Sequence, residues 1–438
     1  MLDNKESKKE KRVLILFLHD SIGELYVALP ILWFLKKDLD IKIYFVSNDS
    51  NILDKFKAGP AYIQAMQEVG SFYFGGSKSL LLLTKLLIKK NLIIQMSCFS
   101  GFRIIDKIYY SFLKQSTAVF YPHTLGANAV NDIKNAVIDR DLNLKLNSLF
   151  ASRFGNKGDL LTNTINESNY LEQIGWSKSS QHSIGALGYR KEWLKKLFSF
   201  HKLQKEEIDS KPFTIFVPLR GPHPYFLSES NYEYLINSLA KIFKNHPTFH
   251  FLVKLHPRQK SEEINNLFDK NSNVFFLGDS PFELASKSDL TIGFCTSALI
   301  DSVAAGTPAV EFHKHAVAHS QLVKKDGRLI SIFEYLELCL GFNNANALEN
   351  FLKELDITKL KLLQKRQYLN LVNFYQLNEN NNNNLETIFN MLFKKASYAK
   401  KEQKNNKKHF RYEILKRSMY KIFSSPRRAL EFVMKLNR

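Results

Sequence analysis

Residues 249–258 read FHFLVKLHPR, and residues 289–312 read DLTIGFCTSALIDSVAAGTPAVEF. Each stretch contains an apolar run of strand length that stops abruptly at polar residues. The first run ends at a histidine before a proline. The second ends at Thr296 and Ser297, which precede an apolar helical segment and then another strand-like run. Strands that alternate with helices predict parallel βαβ units, in which helix starts at strand ends are suited to binding phosphates.

The same alternation extends on both sides of this stretch. The segment FTIFVPLRG, which begins at Phe213, starts a second series of strands and helices that forms a complete doubly wound unit. The strands predicted for it are 213–219, 251–255, 274–277, 290–294 and 309–312, and its helices include 230–244 and 296–305. Two further helices are predicted after it, at 347–365 and 385–395. An earlier series has predicted strands at 12–18, 40–47, 91–96 and 117–121. Residues 156–188 then read as the end of the first domain, and 191–204 as a linker.

Length and composition agree with two domains. The chain has 438 residues, of which 45% are hydrophobic and 13% aromatic, enough for two ordinary cores. Three cysteines without C-x-x-C spacing argue against a disulfide framework and against a zinc site. The charged start MLDNKESKKEKR and a longest apolar run of only residues 80–88 predict neither a signal peptide nor a membrane-spanning helix. We therefore expect a cytoplasmic protein.

The net charge of +20 is concentrated at the C-terminus. Residues 394–438 carry 15 Lys or Arg and 3 Glu, and they interleave these bases with aromatic and aliphatic side chains. This mixture suits an anionic membrane surface at the inner leaflet. A solvated tail without a partner and nucleic-acid binding are the alternatives. No recognition-helix or zinc-finger motif supports the last one, so no nucleic-acid partner is expected.

The candidate site residues follow the predicted strands. Thr296 and Ser297 begin a helix whose unpaired N–H groups favour a phosphate, although capping alone would also explain them. Asp301 lies four residues after Ser297 on the same helical face, where it could meet a ribose hydroxyl or orient the serine. We also place Arg220 and Gly221, which follow the strand from Phe213, at the donor site. Glu311, in the last strand of the opening stretch, belongs to the same predicted set.

His256 is followed by Pro257, which fixes an extended strand end and presents the imidazole to the cleft. Lys254 and Arg258 add positive charge that could oppose a diphosphate, although a histidine satisfied by the backbone is the alternative. A base is expected on the other domain, and His123, after the strand TAVFY, is the first candidate. Asp20 and Glu24, in HDSIGE after the first strand, are the others. No D-x-D signature follows a strand, so no metal is predicted.

The order strand-HP followed by D-x6-[ST]-S-x3-D-x4-G-x-P resembles the donor half of GT-B glycosyltransferases that make bacterial surface polymers. It is most similar to the group of CDP-glycerol glycerophosphotransferases, polysialyltransferases and capsule Kdo-transferases. The resemblance implies that His256, Pro257, Thr296, Ser297 and Asp301 hold the nucleotide and phosphates of the donor. In glycerophosphotransferases of this group, a histidine in an HGT sequence acts as the base. His123 resembles it only in part, since this chain has HTLG in place of HGT.

The resulting prediction is an α/β protein of GT-B type, with two tandem Rossmann-like doubly wound domains facing a cleft and a basic helical C-terminal tail. The expected acceptor domain with its linker spans 1–205, the donor domain with returning helices spans 206–393, and the tail spans 394–438. The predicted activity is an inverting, metal-independent transfer without a cofactor. The donor would be a nucleotide-sugar or CDP-polyol, the acceptor a surface glycan or lipid-linked molecule, and the enzyme peripheral at the inner membrane face.

Two other functions fit the same fold. The first is a nucleotide-sugar 2-epimerase, although its paired acidic residues and histidines cannot be placed in this sequence. The second is a non-catalytic, membrane-associated scaffold of capsule assembly with a vestigial donor site. Fold alone does not choose among them.

Overall fold

The structure is a computed structural model of the whole chain. It describes the following residues: 11–19, 22–56, 59–88, 91–98, 108–110, 112–113, 116–122, 158–173, 175–200, 212–222, 227–256, 259, 264, 267–268, 272–294, 296–313, 322–377 and 382–405. Of the predicted site residues, Asp20, His123, Pro257 and Arg258 lie outside these ranges, as do residues 406–438 of the predicted tail.

A seven-stranded parallel sheet forms the first domain. Its strands are β1 (Lys11–Phe17), β2 (Ile41–Ser47), β3 (Ser71–Phe74), β4 (Asn91–Cys98), β5 (Ser116–Tyr121), β6 (Asp159–Thr162) and β7 (Gln181–Ser183). They lie in the order β3-β2-β1-β4-β5-β6-β7, and each pair is parallel. In β1 the last five residues are all buried, as expected for a central strand covered on both faces.

Helices connect these strands and cover the sheet. They are α1 (Ile22–Asp38), α2 (Ile52–Phe56), α3 (Pro60–Val69), α4 (Gly76–Ile88), α5 (Ile165–Gln173) and α6 (Lys191–Ser199), with short 3₁₀ turns at Lys178–Ser180 and Leu187–Tyr189. Ten of the 17 residues of α1 are buried, which makes it a core helix rather than an amphipathic surface one.

A second, six-stranded parallel sheet forms the second domain. Its strands are β8 (Thr214–Pro218), β9 (His250–Lys254), β10 (Val274–Phe276), β11 (Leu290–Gly293), β12 (Ala309–Phe312) and, after an antiparallel hairpin of β13 (Leu322–Lys325) and β14 (Arg328–Ser331), β15 (Leu340–Phe342). The order is β10-β9-β8-β11-β12-β15. The helices are α7 (Glu229–Asn245), α8 (Pro281–Ser286), α9 (Ala298–Ala305), α10 (Ile332–Tyr335) and α11 (Ala345–Lys353).

The last two helices return the chain to the first domain. Helix α12 (Ile357–Tyr375) packs on the second domain, where the Gln367 side chain pairs with both backbone groups of Ala309. Helix α13 (Asn382–Asn405) lies against the first sheet, and its Lys395 binds the buried carboxylate of Asp159 at 2.6 Å. The domain boundary predicted at residue 394 therefore falls inside a helix.

The two predicted doubly wound units are both present, and this part of the sequence prediction is confirmed. Several elements at or next to the sheet edges were missed: the strands β3, β6, β7 and β15, and the hairpin of β13 and β14. The single helix predicted for 347–365 is wrong. The Asp356 carboxylate accepts a hydrogen bond from the Thr358 N–H at 2.7 Å, which caps a new helix and separates α11 from α12. Across the described ranges, no helix is both long and apolar enough to cross a membrane.

Candidate functional site

The strand order of each sheet creates a switch point where ligands bind in doubly wound folds. In the second sheet, β8 lies between β9 and β11: the chain runs from β8 outward to β9 and β10, and it then crosses back to β11 on the other side of β8. The crevice between the carboxyl ends of β8 and β11 is the expected ligand position. Arg220 and Gly221 follow β8, whereas Thr296 and Ser297 follow β11, so the fold brings these four predicted residues to one switch point.

The turn between β11 and α9 carries the predicted phosphate-binding hydroxyls. The Thr296 hydroxyl accepts the Ala298 N–H at 3.3 Å and thereby shapes the turn. Ser297 adopts a right-handed helical conformation at φ −65°, and within the part of the chain that the structure describes its hydroxyl does not cap α9. Capping does not explain Ser297, because its backbone is helical and not extended as in a capping residue.

Gly293 allows this turn to lie directly on the end of β11. A Cβ atom at Gly293 would be 3.0 Å from Thr296 Cγ2, 3.2 Å from Leu299 Cδ2 and 3.2 Å from Pro218 Cγ. These distances are shorter than ordinary van der Waals contact. The absence of a side chain at Gly293 therefore positions the Thr296 turn against the end of β8.

Positive charge and a constrained loop lie on the other side of β8. Lys254 pairs in register with Pro218, and its ammonium donates to the Gly278 carbonyl at 3.2 Å. The His256 N–H donates to Gln259 Oε1 at 2.7 Å. Lys254 and His256 thus lie at the carboxyl end of β9, as predicted, and β9 is the neighbour of β8.

Gln259 was not predicted from the sequence. Its amide nitrogen donates to the Tyr232 hydroxyl at 3.2 Å while its oxygen accepts the His256 N–H. A Cβ on Gly221 would approach Gln259 Cγ to 3.0 Å. Gln259 therefore joins the loop after β9 to α7 and lies close to Gly221 in the loop after β8, and no motif in the sequence signals it.

Asp301 has a different environment from the predicted one. Its side chain is buried, and Oδ1 accepts a 3.1 Å hydrogen bond from the hydroxyl of Tyr189, in the linker after β7. Burial raises the pKa of Asp301 to about 7, while the hydrogen bond from Tyr189 opposes this shift. The carboxyl therefore faces the first domain, and its contact with a donor stays a prediction.

A buried aromatic cluster surrounds this contact between the domains. Tyr26 lies 4.8 Å from Tyr62 and 6.1 Å from Phe282, and Tyr189 lies 5.1 Å from Tyr375, measured between ring centroids. Burial raises the pKa of Tyr26 and Tyr189, and the Asp301 carboxylate adds to this. One hydrophobic core thus continues from α1 and α3 into α8 and α9, in addition to the separate core of the second domain. The helix that begins at Ser297 is anchored in this shared interface.

Glu311 also has protein partners. Its carboxylate is buried and accepts a hydrogen bond from the Ser331 hydroxyl, with the Cys339 thiol 3.6 Å away. Next to it, His313 Nε2 lies 3.3 Å from a Glu334 carboxylate oxygen. Burial alone would lower the pKa of His313, but the bond to Glu334 outweighs it and the pKa is raised. The donor contact predicted for Glu311 stays a prediction.

On the first domain, the switch point lies between β1 and β4. Glu24, in the first turn of α1, is 2% exposed, and its Oε2 accepts the His19 N–H at 3.2 Å. The carboxylate therefore lies at the expected position beyond β1 but stabilises the loop there. Its role as base stays a prediction. Among the described residues, no group of three His, Cys, Asp or Glu side chains could hold a metal ion.

No family model and no curated protein matches the chain. Solved structures match it by fold. UDP-GlcNAc 2-epimerase from Neisseria meningitidis, bound to UDP-GlcNAc, is 15% identical with a TM-score of 0.53, over 87% of this chain and 100% of that one. The wall teichoic acid polymerase TagF is 14% identical with a TM-score of 0.53, over 88% and 89%. Anabaena HepE, in complex with UDP and glucose, is 11% identical with a TM-score of 0.50, over 87% and 100%. The chain shares with these proteins a GT-B-like fold of two parallel sheets.

Proposed function

We propose that this protein is a GT-B glycosyltransferase, or a related glycerophosphotransferase. It transfers a sugar or polyol phosphate from a nucleotide-activated donor to a surface polysaccharide or lipid-linked acceptor. The observation that carries the proposal is the turn at Thr296 and Ser297. It lies at the switch point of the second sheet, begins a helix, and has a serine hydroxyl that does not cap that helix.

The charges around this turn fit the departure of a nucleotide. The first N–H groups of α9 and the ammonium of Lys254 would stabilise the phosphate charge that develops as the donor bond breaks. His256 would contact the diphosphate from the neighbouring strand end. The chemistry needs no metal when fixed donors already surround the leaving group.

The acceptor hydroxyl must lose a proton to a base on the first domain. Glu24 lies beyond β1 at the facing switch point, and Asp20 and His123 follow β1 and β5 in the sequence. A base in this position would face the donor across the cleft, which suits direct displacement with inversion. We assign the base to this group of three.

Membrane attachment is proposed for the basic segment 394–438. Helix α13 continues to Asn405, so residues 394–405 extend a helix that is docked on the first sheet. The bases and aromatic residues after it would contact anionic lipid at the inner leaflet, where lipid-linked acceptors are found. The protein would then be cytoplasmic and peripheral.

A 2-epimerase is the second candidate, because the Neisseria epimerase matches this fold as well as TagF does. Product analysis separates the two. Purified protein should release nucleotide from UDP-sugars or CDP-glycerol only when an acceptor extract is added. Conversion of UDP-GlcNAc to its 2-epimer without an acceptor, followed by NMR, would instead establish the epimerase. If neither reaction occurs and His256→Ala leaves polymer synthesis in cells unchanged, the scaffold explanation holds.

A further inference from the structure

A cavity of about 400 Å³ lies between the two domains, apart from the turn at Thr296. Its lining residues come from three elements: Thr164, Ile165, Leu336, Asn370, Asn373, Phe374 and Gln376. The volume is within the range of about 300–1,000 Å³ that is typical of small-molecule sites. It is large enough for a sugar unit.

The cavity is placed where both sheets end. Thr164 follows β6 by two residues, so it marks the carboxyl edge of the first sheet. Leu336 directly follows α10, and Glu334 of that helix binds His313 at the carboxyl end of β12. The cavity therefore opens onto the interdomain crevice, with the C-terminal end of α12 as its third wall.

The lining is uncharged and rich in amides. Asn373 carries a carbonyl oxygen and an NH₂ group, which can accept from and donate to hydroxyls. Asn370 offers its carbonyl oxygen, since its NH₂ group donates to Glu337. The nearby carboxylates already have partners: Glu337 pairs with Arg366 at 2.6 Å and accepts from the Asn370 amide at 3.4 Å, and Glu167 accepts the Asn163 N–H at 2.6 Å. A ligand with its own charge would find no charged partner among the lining residues.

Apolar surface accompanies these amides. Ile165 is 50% exposed, and Phe374 is partly buried beside Tyr375. An aromatic and an aliphatic wall facing amide groups suit the C–H faces and hydroxyl edges of a carbohydrate.

Two residues at this site adopt a backbone conformation that favours glycine. Gln376, which ends α12, has φ +52°, and Glu337, which follows Leu336, has φ +55°. The Asn370 amide donates to the Glu337 carbonyl at 3.2 Å and so joins the two walls. A side chain in this conformation costs roughly 1–2 kcal/mol relative to glycine. Both residues lie at helix C-termini, where the left-handed conformation commonly ends a helix, and they therefore fix the course of the two walls.

We propose that this cavity binds an uncharged sugar unit of the acceptor, and thus acts as an acceptor subsite separate from the phosphate site at Ser297. The proposal rests on the proposed transferase function. Because it concerns binding of a free glycan, it can be tested without donor or turnover.

The experiment is saturation-transfer NMR titration of the full chain with methyl glycosides of glucose, galactose, N-acetylglucosamine and N-acetylgalactosamine, and with their β-linked disaccharides. Glucuronic acid and N-acetylneuraminic acid serve as anionic probes. The variants are Asn373→Leu and, from the opposite wall, Ile165→Arg. Both change exposed or half-exposed side chains, so folding should be retained. Asn350→Leu, at an exposed position of α11 outside the cavity, is the matched control.

At least one neutral glycan should bind the wild type and the control. Its affinity should fall at least tenfold in both cavity variants, while stabilisation by nucleotide is unchanged. The proposal is overturned if no neutral glycan binds, if binding survives in both variants, or if only the anionic probes bind. If Asn373→Leu instead weakens UDP-glucose but not UDP, the cavity holds the donor sugar and the acceptor assignment is wrong. If no nucleotide stabilises the wild-type protein, the proposed function is refuted, but the result for glycan binding is unaffected.

Discussion

The Tyr189 hydroxyl donates a 3.1 Å hydrogen bond to Asp301, and this contact joins the linker after the first sheet to the helix that begins at Ser297. The two residues are 112 positions apart in the sequence. The proposed phosphate-binding turn and the domain interface therefore share one short helix. A substitution at the domain interface should therefore alter ligand binding at the turn, and ligand binding at the turn should alter the stability of the interface.

This buried carboxyl should make stability depend on pH. Burial raises the Asp301 pKa from 3.8 to about 7, so the folded protein binds more protons than the unfolded chain between these values. Stability must then fall as the pH rises from about 4 to 7, by at most about 4 kcal/mol for this group. Asp301→Asn should remove that decline. In urea unfolding, the free energy of unfolding of the variant should therefore rise relative to that of the wild type as the pH increases towards 8. Tyr189→Phe, which removes a bond that lowers the folded-state pKa, should extend the upper limit of this pH range to higher pH. A stability difference between Asp301→Asn and wild type that stays constant from pH 4 to 8 would contradict this.

The lack of a side chain at Gly293 should matter for ligand binding. A Cβ there would press on Thr296, Leu299 and Pro218 at 3.0–3.2 Å, so Gly293→Ala should displace the turn and weaken nucleotide binding about tenfold. Gly278→Ala is the matched control, because a Cβ at that position meets nothing within 4 Å. Isothermal titration of both variants checks the prediction. Equal affinities in the two would show that the turn does not contact the nucleotide.

Gln259 should support the donor site through the loop that carries His256. Gln259→Leu keeps the size of the side chain but removes its bonds to the His256 N–H and the Tyr232 hydroxyl. We expect nucleotide affinity to fall by about five- to tenfold, with a stability loss of about 1 kcal/mol. Gln259→Glu, which can still accept the His256 N–H, should recover part of the stability, whereas its negative charge would repel a nucleotide phosphate and keep the affinity low. If both substitutions leave binding unchanged, the loop does not contribute to the site.

Lys395 should fasten the returning helix to the first sheet. Burial would raise the Asp159 pKa, but hydrogen bonds from His182 and Lys395 outweigh it and hold the pKa below its usual value. Lys395→Met should therefore destabilise the protein by about 1 kcal/mol, a modest value because the lysine is 43% exposed. Hydrogen exchange in α13 should accelerate as well. The exposed neighbour Lys394 provides the control Lys394→Met, and identical exchange in the two variants would exclude this role.

The fold could be predicted because central parallel strands are buried on both faces and read as continuous apolar runs. The strand β1 and the segment before Thr296 show this directly. The edge strand β7, with the sequence QHS, lacks such a run because a strand at the edge of the sheet needs no apolar side chains on both faces. The strand β7 was therefore missed: its own residues do not indicate a strand, and its place in the sheet depends on pairing with β6.

The site could be predicted only as far as strand ends reveal it. Thr296, Ser297, Arg220 and Gly221 follow strands, and the topology brings those ends together. The partner of Asp301 could not be found in this way, because Tyr189 belongs to a linker whose position depends on how the domains pack. The sequence spacing placed Asp301 on the same helical face as Ser297, whereas its carboxyl bonds to the first domain.

We propose that Ser297 and the start of α9 bind the phosphate of a nucleotide-activated donor. A thermal-shift panel of CMP, CDP, UDP and GDP on the wild type, on Ser297→Ala and on the exposed-serine control Ser179→Ala tests it most directly. We predict that one pyrimidine nucleotide stabilises the wild type and the control, by about 2.7 kcal/mol at 100 times its Kd. Ser297→Ala should lose at least tenfold in affinity, as expected for a hydrogen bond to a charged group. Equal stabilisation of all three proteins, or none by any nucleotide, would contradict the claim.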